Sequence, residues 1–298
     1  MTVSTASVEA SESIPSQSSS AQMARIIARD PLSLISLGVI VLFILMAVFA
    51  WQIAPYPDQG AGKTSVDTTM LPPSFEHWFG TDRLGRDILS RVILGTRPAL
   101  MVPIGVVAFA VLIGAPLGAI AGYKGGWIDE IIMRITDLFL AFPFLLLAMA
   151  ITAALGRGLE NAAIALVISW WPWYTRLVRG VTLSLKHRYF VEAARAIGVR
   201  DSVIILRHIL PNTISPILVQ ATVDLGTVIL AMGGLAFIGL GTQPPNPDWG
   251  LMISEGRSYV LNQWWLATFP GLAIFVVVLA FNLLGDTLRD IFDPRQYR

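Results

Sequence analysis

Residues 186–212 read KHRYFVEAARAIGVRDSVIILRHILPN and place a dense cluster of charges between two long apolar segments. Only 14% of the 298 residues are charged, so this cluster stands apart from the rest of the chain. Four apolar residues recur at the i, i+3, i+4, i+7 spacing of one helical face: Phe190, Ala193, Ala194 and Ile197. This spacing predicts a helix over 188–197.

The residues after this helix predict a tight turn and a second short helix. Gly198 follows the last apolar position, where helices commonly end in a left-handed residue. Asp201 or Ser202 can cap a helix over 203–210, which Pro211 cannot continue smoothly. We therefore predict two helices joined at Gly198, and we call residues 186–212 the hairpin. A hairpin held out between apolar segments is expected to dock on another protein.

Composition limits the class of protein. The chain is 54% hydrophobic, with a mean hydropathy of +0.65, which predicts a polytopic membrane protein. A net charge of +1 argues against a nucleic-acid partner. No cysteine occurs and the three histidines show no ligand spacing, so no metal site is predicted. The sequence also lacks GxxxxGK[ST] and any catalytic constellation, so we expect neither an enzyme nor a cofactor of its own.

Windows that are poor in charge predict six transmembrane helices, each of which needs about 20 apolar residues. These windows are 31–57, 98–123, 138–156, 161–175, 212–247 and 258–285. The fourth is short and would borrow the segment from Arg176 to Arg179, whose side chains can reach the interface. We therefore predict an all-α integral membrane domain over 31–298.

The distribution of basic residues predicts the orientation of the spans. With both termini and the hairpin in the cytoplasm, 14 of the 21 Lys and Arg residues lie on that side. Residues 54–97 then form an outer loop, and an amphipathic helix from Leu84 is expected at its end. We expect that helix either to pack on the end of the bundle or to contact the substrate directly. Residues 1–30, which are rich in serine, predict a disordered cytoplasmic tail.

Polar and aromatic residues inside the spans are candidates for function. Asp224 lies about 18 Å beyond Asn212 along a helix, near mid-depth of the membrane. A carboxylate there should face protein or water, either as a pathway residue or as a structural acid paired with a partner subunit. Trp170, Trp171 and Trp173 are expected in an interfacial aromatic belt, with a stacking site for substrate as the alternative.

Three groups of motifs carry a resemblance to a known family. The first is EAA at 192–194 with Gly198 and ILP at 209–211, the second GTD at 80–82 with GRD at 85–87. The third is FIGLG at 237–241, followed by QPP at 243–245 and WG at 249–250. Together they resemble ABC importer permeases of the dipeptide, oligopeptide and nickel branch. The third group looks most like the C-type subunit of dipeptide permeases.

The resemblance implies a type I ABC importer permease fold in the bacterial inner membrane, with a cytoplasmic coupling helix. It implies a homologous permease subunit, two ATPase subunits that bind ATP and Mg, an extracytoplasmic binding protein, a peptide substrate and surrounding lipid. Import of nickel or another small solute stays open, as does a secondary transporter, which should show inverted repeats.

The resemblance also assigns residues to roles. The translocation pathway is expected to include Asp224, because of its depth in the span, and Met232. Met232 stands where many relatives carry a glutamate, which leaves oligopeptides open. The residues expected to couple to the ATPase are Phe190, Glu192, Ala193, Ala194, Arg195, Gly198, Asp201, Leu210 and Pro211.

Overall fold

A computed structural model describes residues 30–292 of the chain. Within them the regular structure is helical, apart from one isolated bridge between Thr81 and Asp87. The tail predicted over 1–30 lies outside the described residues except for Asp30. The Asp30 carboxylate accepts hydrogen bonds from the first backbone N–H groups of the first helix and caps it.

Nine longer helices organise the described part of the chain. They are α1 (Pro31–Val48), α2 (Ile88–Lys124), α3 (Gly126–Leu140), α4 (Phe144–Leu155), α5 (Leu159–Leu185), α6 (Tyr189–Ala196), α7 (Ile214–Phe237), α8 (Trp249–Gly256) and α9 (Trp265–Phe292). Shorter helical segments are Ala50–Ile53, Pro57–Gly60, Val66–Thr68, Asp201–Ile204, Ile205–Ile209, Leu210–Thr213 and Arg257–Tyr259.

The helices support a multi-pass membrane protein, as predicted, but not the count of six spans. Four stretches are long and apolar enough to cross a membrane: α1, α2, Asp201–Phe237 and Trp265–Ile291. The pair α3 and α4, bent by 85°, can add a fifth. Helix α5 is 27 residues long but is not among them, and it carries Glu160, Arg176 and Arg179.

The span predicted over 138–156 is interrupted. Residues 141–143 separate α3 from α4, and Pro143 directly precedes α4. Helix α4 has 12 residues, which is about 18 Å at the rise of an α-helix, against a hydrocarbon core of about 30 Å. The absence of charge in this window therefore did not imply one continuous helix, because charge says nothing about where a proline breaks the backbone.

The second span is longer than its charge-free window. Helix α2 begins at Ile88, capped by the Asp87 carboxylate, which accepts a hydrogen bond of 2.8 Å from the Ser90 N–H. The amphipathic helix predicted from Leu84 is thus not a separate interfacial helix but the first turns of α2. Arg97 of this helix contacts the protein, since it donates a hydrogen bond of 2.6 Å to the Ala47 carbonyl.

Helices α2 and α5 approach each other closely along three glycines spaced by four residues. A Cβ added to Gly114, Gly118 or Gly122 would lie 2.5, 2.4 or 2.8 Å from the nearest atom of α5. Each of these distances is far shorter than a normal carbon contact. Small residues at this spacing let two membrane helices pack backbone to backbone, so this stripe fixes α5 against α2.

Contacts between helix ends define two ends of the bundle. At the end that carries the hairpin, which we call the hairpin end, the Ser33 and Thr287 hydroxyls lie 2.6 Å apart. At the opposite end, the Gly158 N–H donates to the Leu240 carbonyl over 3.1 Å. Residues 54–87 and 238–264 lie at this opposite end, which we call the cap end.

Candidate functional site

The hairpin has the predicted helix and turn. Helix α6 covers Tyr189–Ala196, and Gly198 follows it with φ = +79°. The Val199 N–H donates to the Ala194 carbonyl and the Gly198 N–H to the Arg195 carbonyl, both over 3.0 Å. These two bonds form a Schellman motif, which requires the left-handed conformation that glycine adopts at least cost.

A small apolar core holds the hairpin against the bundle. Val191 and Ala194 of α6 are buried, and they pack with residues of α2 and α5 that include Tyr123 and Val178. Ile204 and Ile209 of the following segment join the same cluster. The base of the hairpin is therefore a packed part of this chain.

The opposite face of α6 is exposed and apolar. Tyr189 is 90% exposed, Phe190 42% and Ile197 81%, and Ala193 is exposed between them. This arrangement corrects the predicted docking face at one position, since Ala194 is only 6% exposed. Residues at the i, i+3, i+4, i+7 spacing cover a wide arc of the helix surface. The bundle packs against the edge of this arc where Ala194 lies, so Ala194 is buried.

Charged residues of the hairpin contact the end of α2. Asp201 accepts hydrogen bonds of 3.0 Å from the Tyr123 hydroxyl and 2.6 Å from Lys124 Nζ. The Arg195 guanidinium lies 5.3 Å from the centre of the Tyr123 ring, within the range of a cation–π contact. Glu192 is exposed on the outer surface of α6.

These contacts correct the predicted role of Asp201 and reveal partners that the sequence did not indicate. Asp201 does not cap a helix, because helix Asp201–Ile204 starts at this residue and its side chain reaches α2 instead. Tyr123 and Lys124 were not predicted as site residues. Their only signal in the sequence is their position, since Tyr123 ends the window 98–123 and Lys124 is the first charge after it, before Gly125.

The second half of the hairpin does not end at Pro211. The chain passes through a π-helical segment, Ile205–Ile209, and a 3₁₀ segment, Leu210–Thr213, directly into α7. Pro211 lies in the first turn of the 3₁₀ segment, where its missing N–H leaves no bond unmade. Leu210 is half-buried beside the hairpin core, and Pro211 is exposed.

A pair of salt bridges near the hairpin joins α3 to α5. Arg179 binds Asp129 through two hydrogen bonds of 2.6 and 2.7 Å, and Arg176 lies 2.5 Å from Asp137. The first pair has the bidentate geometry that fixes orientation as well as distance. The two arginines that were expected to reach the interface thus hold α3 at the hairpin end.

Asp224 is buried within this chain, with 6% exposure. It accepts a hydrogen bond of 3.0 Å from the Trp170 indole and one of 2.9 Å from the Gln220 amide. Trp170 is therefore neither in an interfacial belt nor in an open stacking site, whereas Trp173 is 49% exposed. Because protein donors already satisfy both of its oxygens, Asp224 has the contacts of a structural acid and does not line an open path in this structure.

Met232 is also buried, with 7% exposure, and it lines a cavity of about 20 Å³ with Asp248 and Trp249. The Asp248 carboxylate accepts a hydrogen bond of 2.8 Å from the Thr242 hydroxyl. Burial raises the pKa of Asp248 above its usual range, in opposition to that bond and one from the Leu251 N–H. Neither predicted pathway residue is thus solvent-exposed, and within residues 30–292 no three His, Asp or Glu side chains converge as metal ligands.

Comparisons with known proteins agree with this architecture. Residues 114–298 match the family described as "Binding-protein-dependent transport system inner membrane component". Residues 18–73 match the N-terminal transmembrane domain of oligopeptide transport permease C. The chain also resembles crystal structures of the inward-facing methionine ABC transporter MetNI, at 20% identity and a TM-score of 0.56, over 69% of this chain and 98% of that one. At this identity the likeness shows the fold alone.

Several relatives are much more similar in sequence. A dipeptide transport system permease protein of Alkalihalophilus pseudofirmus is 46% identical, over 90% of this chain and 87% of its own. A glutathione transport system permease protein of Escherichia coli is 48% identical, over 86% and 84%. A probable D,D-dipeptide permease protein of Escherichia coli is 44% identical, over 89% and 88%. The chain belongs to the family of binding-protein-dependent transport system inner membrane components and is a membrane permease subunit of an ABC transporter.

Proposed function

We propose that this permease subunit imports di- or oligopeptides, driven by ATPase subunits that dock on the hairpin. The observation that carries the proposal is the exposed apolar face of α6, on which Tyr189 is 90% and Ile197 81% exposed. Large apolar side chains that are exposed to water on a helix packed against the bundle are typical of a surface that another protein covers.

The energy for transport comes from outside this chain. The sequence has no P-loop, so two partner ATPase subunits bind ATP and Mg and contact the hairpin. Phe190, Ala193 and Ile197 enter the partner surface, and Glu192 lies at the rim of the contact. A ligand bound at a distance can shift the permease between states only by binding one state more tightly than the other.

The same proposal gives the orientation of the subunit in the membrane. The hairpin end lies in the cytoplasm, with both chain termini, and the cap end faces the extracytoplasmic binding protein. The excess of basic residues at the hairpin end supports this orientation. Residues 31–298 form the permease domain, which contacts lipid and, with a homologous second permease subunit, forms the translocation path.

The substrate class rests on the relatives. The three described above are named for dipeptides, D,D-dipeptides and glutathione. All three substrates are short peptides with free carboxylates, and none is a metal ion. We therefore favour short peptides over nickel as the imported solute.

Reconstitution of the complete transporter in liposomes tests the proposal. Uptake of a labelled dipeptide should require ATP, the binding protein and the ATPase subunits, and short peptides should compete better than Ni²⁺. The matched control is the same complex with a hydrolysis-deficient ATPase subunit. Uptake driven by an ion gradient without ATPase subunits would establish a secondary transporter, and uptake of Ni²⁺ but not of peptide would change the substrate class.

A further inference from the structure

The motif groups at 80–87 and 237–250 have no role in the coupling at the hairpin. The fold brings these two groups together at the cap end. The GTD and GRD motifs of 80–87 form the turn before α2, and the third group leads into α8. The Trp249 indole donates to the Val92 carbonyl over 3.0 Å, which joins α8 to α2. A cluster of buried charges lies beside this contact.

Arg86 holds the two carboxylates of the cluster. Its side chain is only 1% exposed. Its Nε donates to Asp82 Oδ2 over 2.6 Å, and its Nη2 donates to Glu255 Oε2 over 3.1 Å. Asp82 comes from the same turn as Arg86, whereas Glu255 is the second-last residue of α8. Arg86 therefore links the turn to α8, and Arg83 of the same turn lies 3.7 Å from Glu255 Oε1.

Arg91 faces the same two oxygen atoms but does not reach them. Its Nη1 lies 3.7 Å from Asp82 Oδ2, and its Nη2 lies 3.9 Å from Glu255 Oε2. The side chain is 1% exposed, and among residues 30–292 none of its three guanidinium nitrogens has a hydrogen-bond partner. A buried charged donor without an acceptor is unfavourable, so such a group needs an explanation.

The space between these groups permits a change of partner. Asp82, Arg91 and Glu255 line a cavity of about 10 Å³, which has room for about one water molecule. A relative shift of about 1 Å would bring Arg91 within hydrogen-bond distance of Glu255. Glu255 changes partner in such a shift if its Oε2 also moves away from Arg86 Nη2, which now donates to it over 3.1 Å.

The two sides of the cluster are carried by different helices, which the hydrogen bond from Trp249 to the Val92 carbonyl joins at one point. Arg86 and Arg91 are carried by the start of α2, whereas α8 is attached to α7. A Cβ on Gly250 would lie 2.2 Å from the Gly233 carbonyl oxygen, and the Ser254 hydroxyl donates to the Phe237 carbonyl over 2.6 Å. Since α7 continues from the hairpin, a displacement of the hairpin along α7 reaches Glu255 at the cap end.

We propose that Glu255 is a latch with two positions, bound to Arg86 in the structure described here and to Arg91 in the other state of the transport cycle. The inference rests on the proposed function, because ATP binding at the hairpin end would drive the exchange. Arg91 and Glu255 are then positioning residues, which set the place of α8 at the outer end of the path without contact to the peptide.

The chain contains no cysteine, so spin labels can be placed on it without background from its own side chains, and cysteines of the partner subunits are replaced first. Leu84 and Ser258 are exposed on the two sides of the cluster and serve as sites for Leu84→Cys and Ser258→Cys. In the complete transporter, the distance between the labels should differ between the nucleotide-free state and the state trapped with ATP and vanadate. Arg91→Met should abolish the second distance and lower uptake at least about five-fold, the lower bound of a typical coupling effect. The amount of assembled complex should stay close to that of the wild type, because Arg91 donates no hydrogen bond in this state and Arg86 still pairs both carboxylates.

Arg97→Met is the matched control. It removes the same charge from the same helix, but Arg97 donates to the Ala47 and Val48 carbonyls and not to the cluster. This variant should retain both label distances. Normal distances and normal uptake in Arg91→Met would overturn the latch, as would a water fixed on Arg91 in both states.

Glu255→Gln keeps the proposal testable if Arg91→Met fails to assemble. The amide preserves the shape of the side chain but removes the charge, so the label distance should no longer depend on nucleotide. A nucleotide-dependent distance that persists in Glu255→Gln overturns the latch. A wild-type transporter with ATP-driven uptake and one fixed distance overturns the latch alone, whereas a wild type without ATP-driven uptake overturns the proposed function and the latch with it.

Discussion

At Gly198 the chain turns with φ = +79°, and a Cβ added there would meet no atom within 4 Å. Space is therefore available for a side chain, and the backbone conformation is the constraint. A residue other than glycine costs roughly 1–2 kcal/mol in the left-handed region, and a β-branched residue costs more. That cost is small for a membrane domain but comparable to a coupling free energy of about 1–3 kcal/mol.

We expect Gly198→Val to insert and assemble normally but to lose uptake, with ATPase activity no longer stimulated by the loaded binding protein. Gly198→Asn should retain part of the uptake, because asparagine tolerates the left-handed region. Gly180→Val is the control, since this position on α5 also has no atom within 4 Å of an added Cβ and an ordinary helical backbone. Wild-type uptake by Gly198→Val at matched expression would show that the turn is a passive linker.

The contacts of Asp224 lead to a prediction about assembly. Asp224→Asn replaces a carboxylate oxygen with an NH₂ group that cannot accept a bond from Trp170 or Gln220, and hydrogen bonds to charged groups contribute about 1.5–3 kcal/mol. We expect less assembled complex, with unchanged uptake per complex. Trp170→Phe should act in the same direction. Normal assembly with reduced uptake in one preparation would instead place Asp224 in the pathway.

The sequence indicated which residues matter near the hairpin better than it indicated their contacts. The spacing of Phe190, Ala193 and Ile197 and the position of Gly198 predicted a helix, an apolar face and a turn. The burial of Ala194 and the bond from Lys124 to Asp201 depend on where α2 ends in space. A local pattern cannot contain that information, because the partners are 70 or more residues away in the chain.

Among the helices, the close contact of α2 and α5 depends on one glycine stripe. At Gly118 an added Cβ would lie 2.4 Å from the Thr175 carbonyl oxygen, so any side chain forces the helices apart. Gly105, on the same helix, has no atom within 4 Å of such a Cβ. The hairpin packs on the ends of both helices, so their separation also determines its position.

We therefore expect Gly118→Leu to destabilise the bundle by about 1–3 kcal/mol or more, the usual range for overpacking. The readout is the temperature at which the purified subunit aggregates in detergent. Gly105→Leu, which adds the same volume at an open position, should leave this temperature unchanged. Equal effects of both substitutions would mean that the close approach does not stabilise the pair.

The exposed face of α6 gives a prediction about binding. Phe190→Ala combined with Ile197→Ala should weaken association with the ATPase subunits, since each buried large apolar side chain contributes about 1.5–3 kcal/mol. The subunit itself should fold normally because both residues are exposed. Val191→Ala is the contrasting variant, and it should lower the stability of the subunit. Pull-down of the ATPase at matched subunit levels measures the effect, and unchanged recovery with the double variant would contradict the docking face.

The elements were predicted unevenly, for physical reasons. Windows poor in charge located α1, α7 and α9, because a helix needs a long apolar stretch to cross a membrane. The same windows missed the break at 141–143 and the π-helical segment Ile205–Ile209, which are backbone features that change no hydropathy. They also started the second span ten residues late at Pro98, because they treated Arg91 and Arg97 as solvated charges, although Arg91 is buried and Arg97 donates to the Ala47 carbonyl.

For the molecule as a whole, the fold class followed from composition and the motifs, and the family comparison confirms it. Composition could not predict which helix connects the hairpin end of the bundle with the cap end. Helix α7 continues from the hairpin and is attached at its far end to α8, so one continuous element connects the proposed ATPase contact with the cap. This connection requires the close approach of Gly250 to Gly233, which no local pattern predicts.

The hydroxyl contact between Ser33 and Thr287 joins the first of the long helices to the last. During biosynthesis Thr287 leaves the ribosome at least 250 residues after Ser33. Helix α1 therefore enters the lipid before α9 does. Ser33 and Ser36 are both buried in the finished protein, and they reach these surroundings only after α9 has been inserted. The contact that closes the bundle therefore forms only after the other described helices have been synthesised.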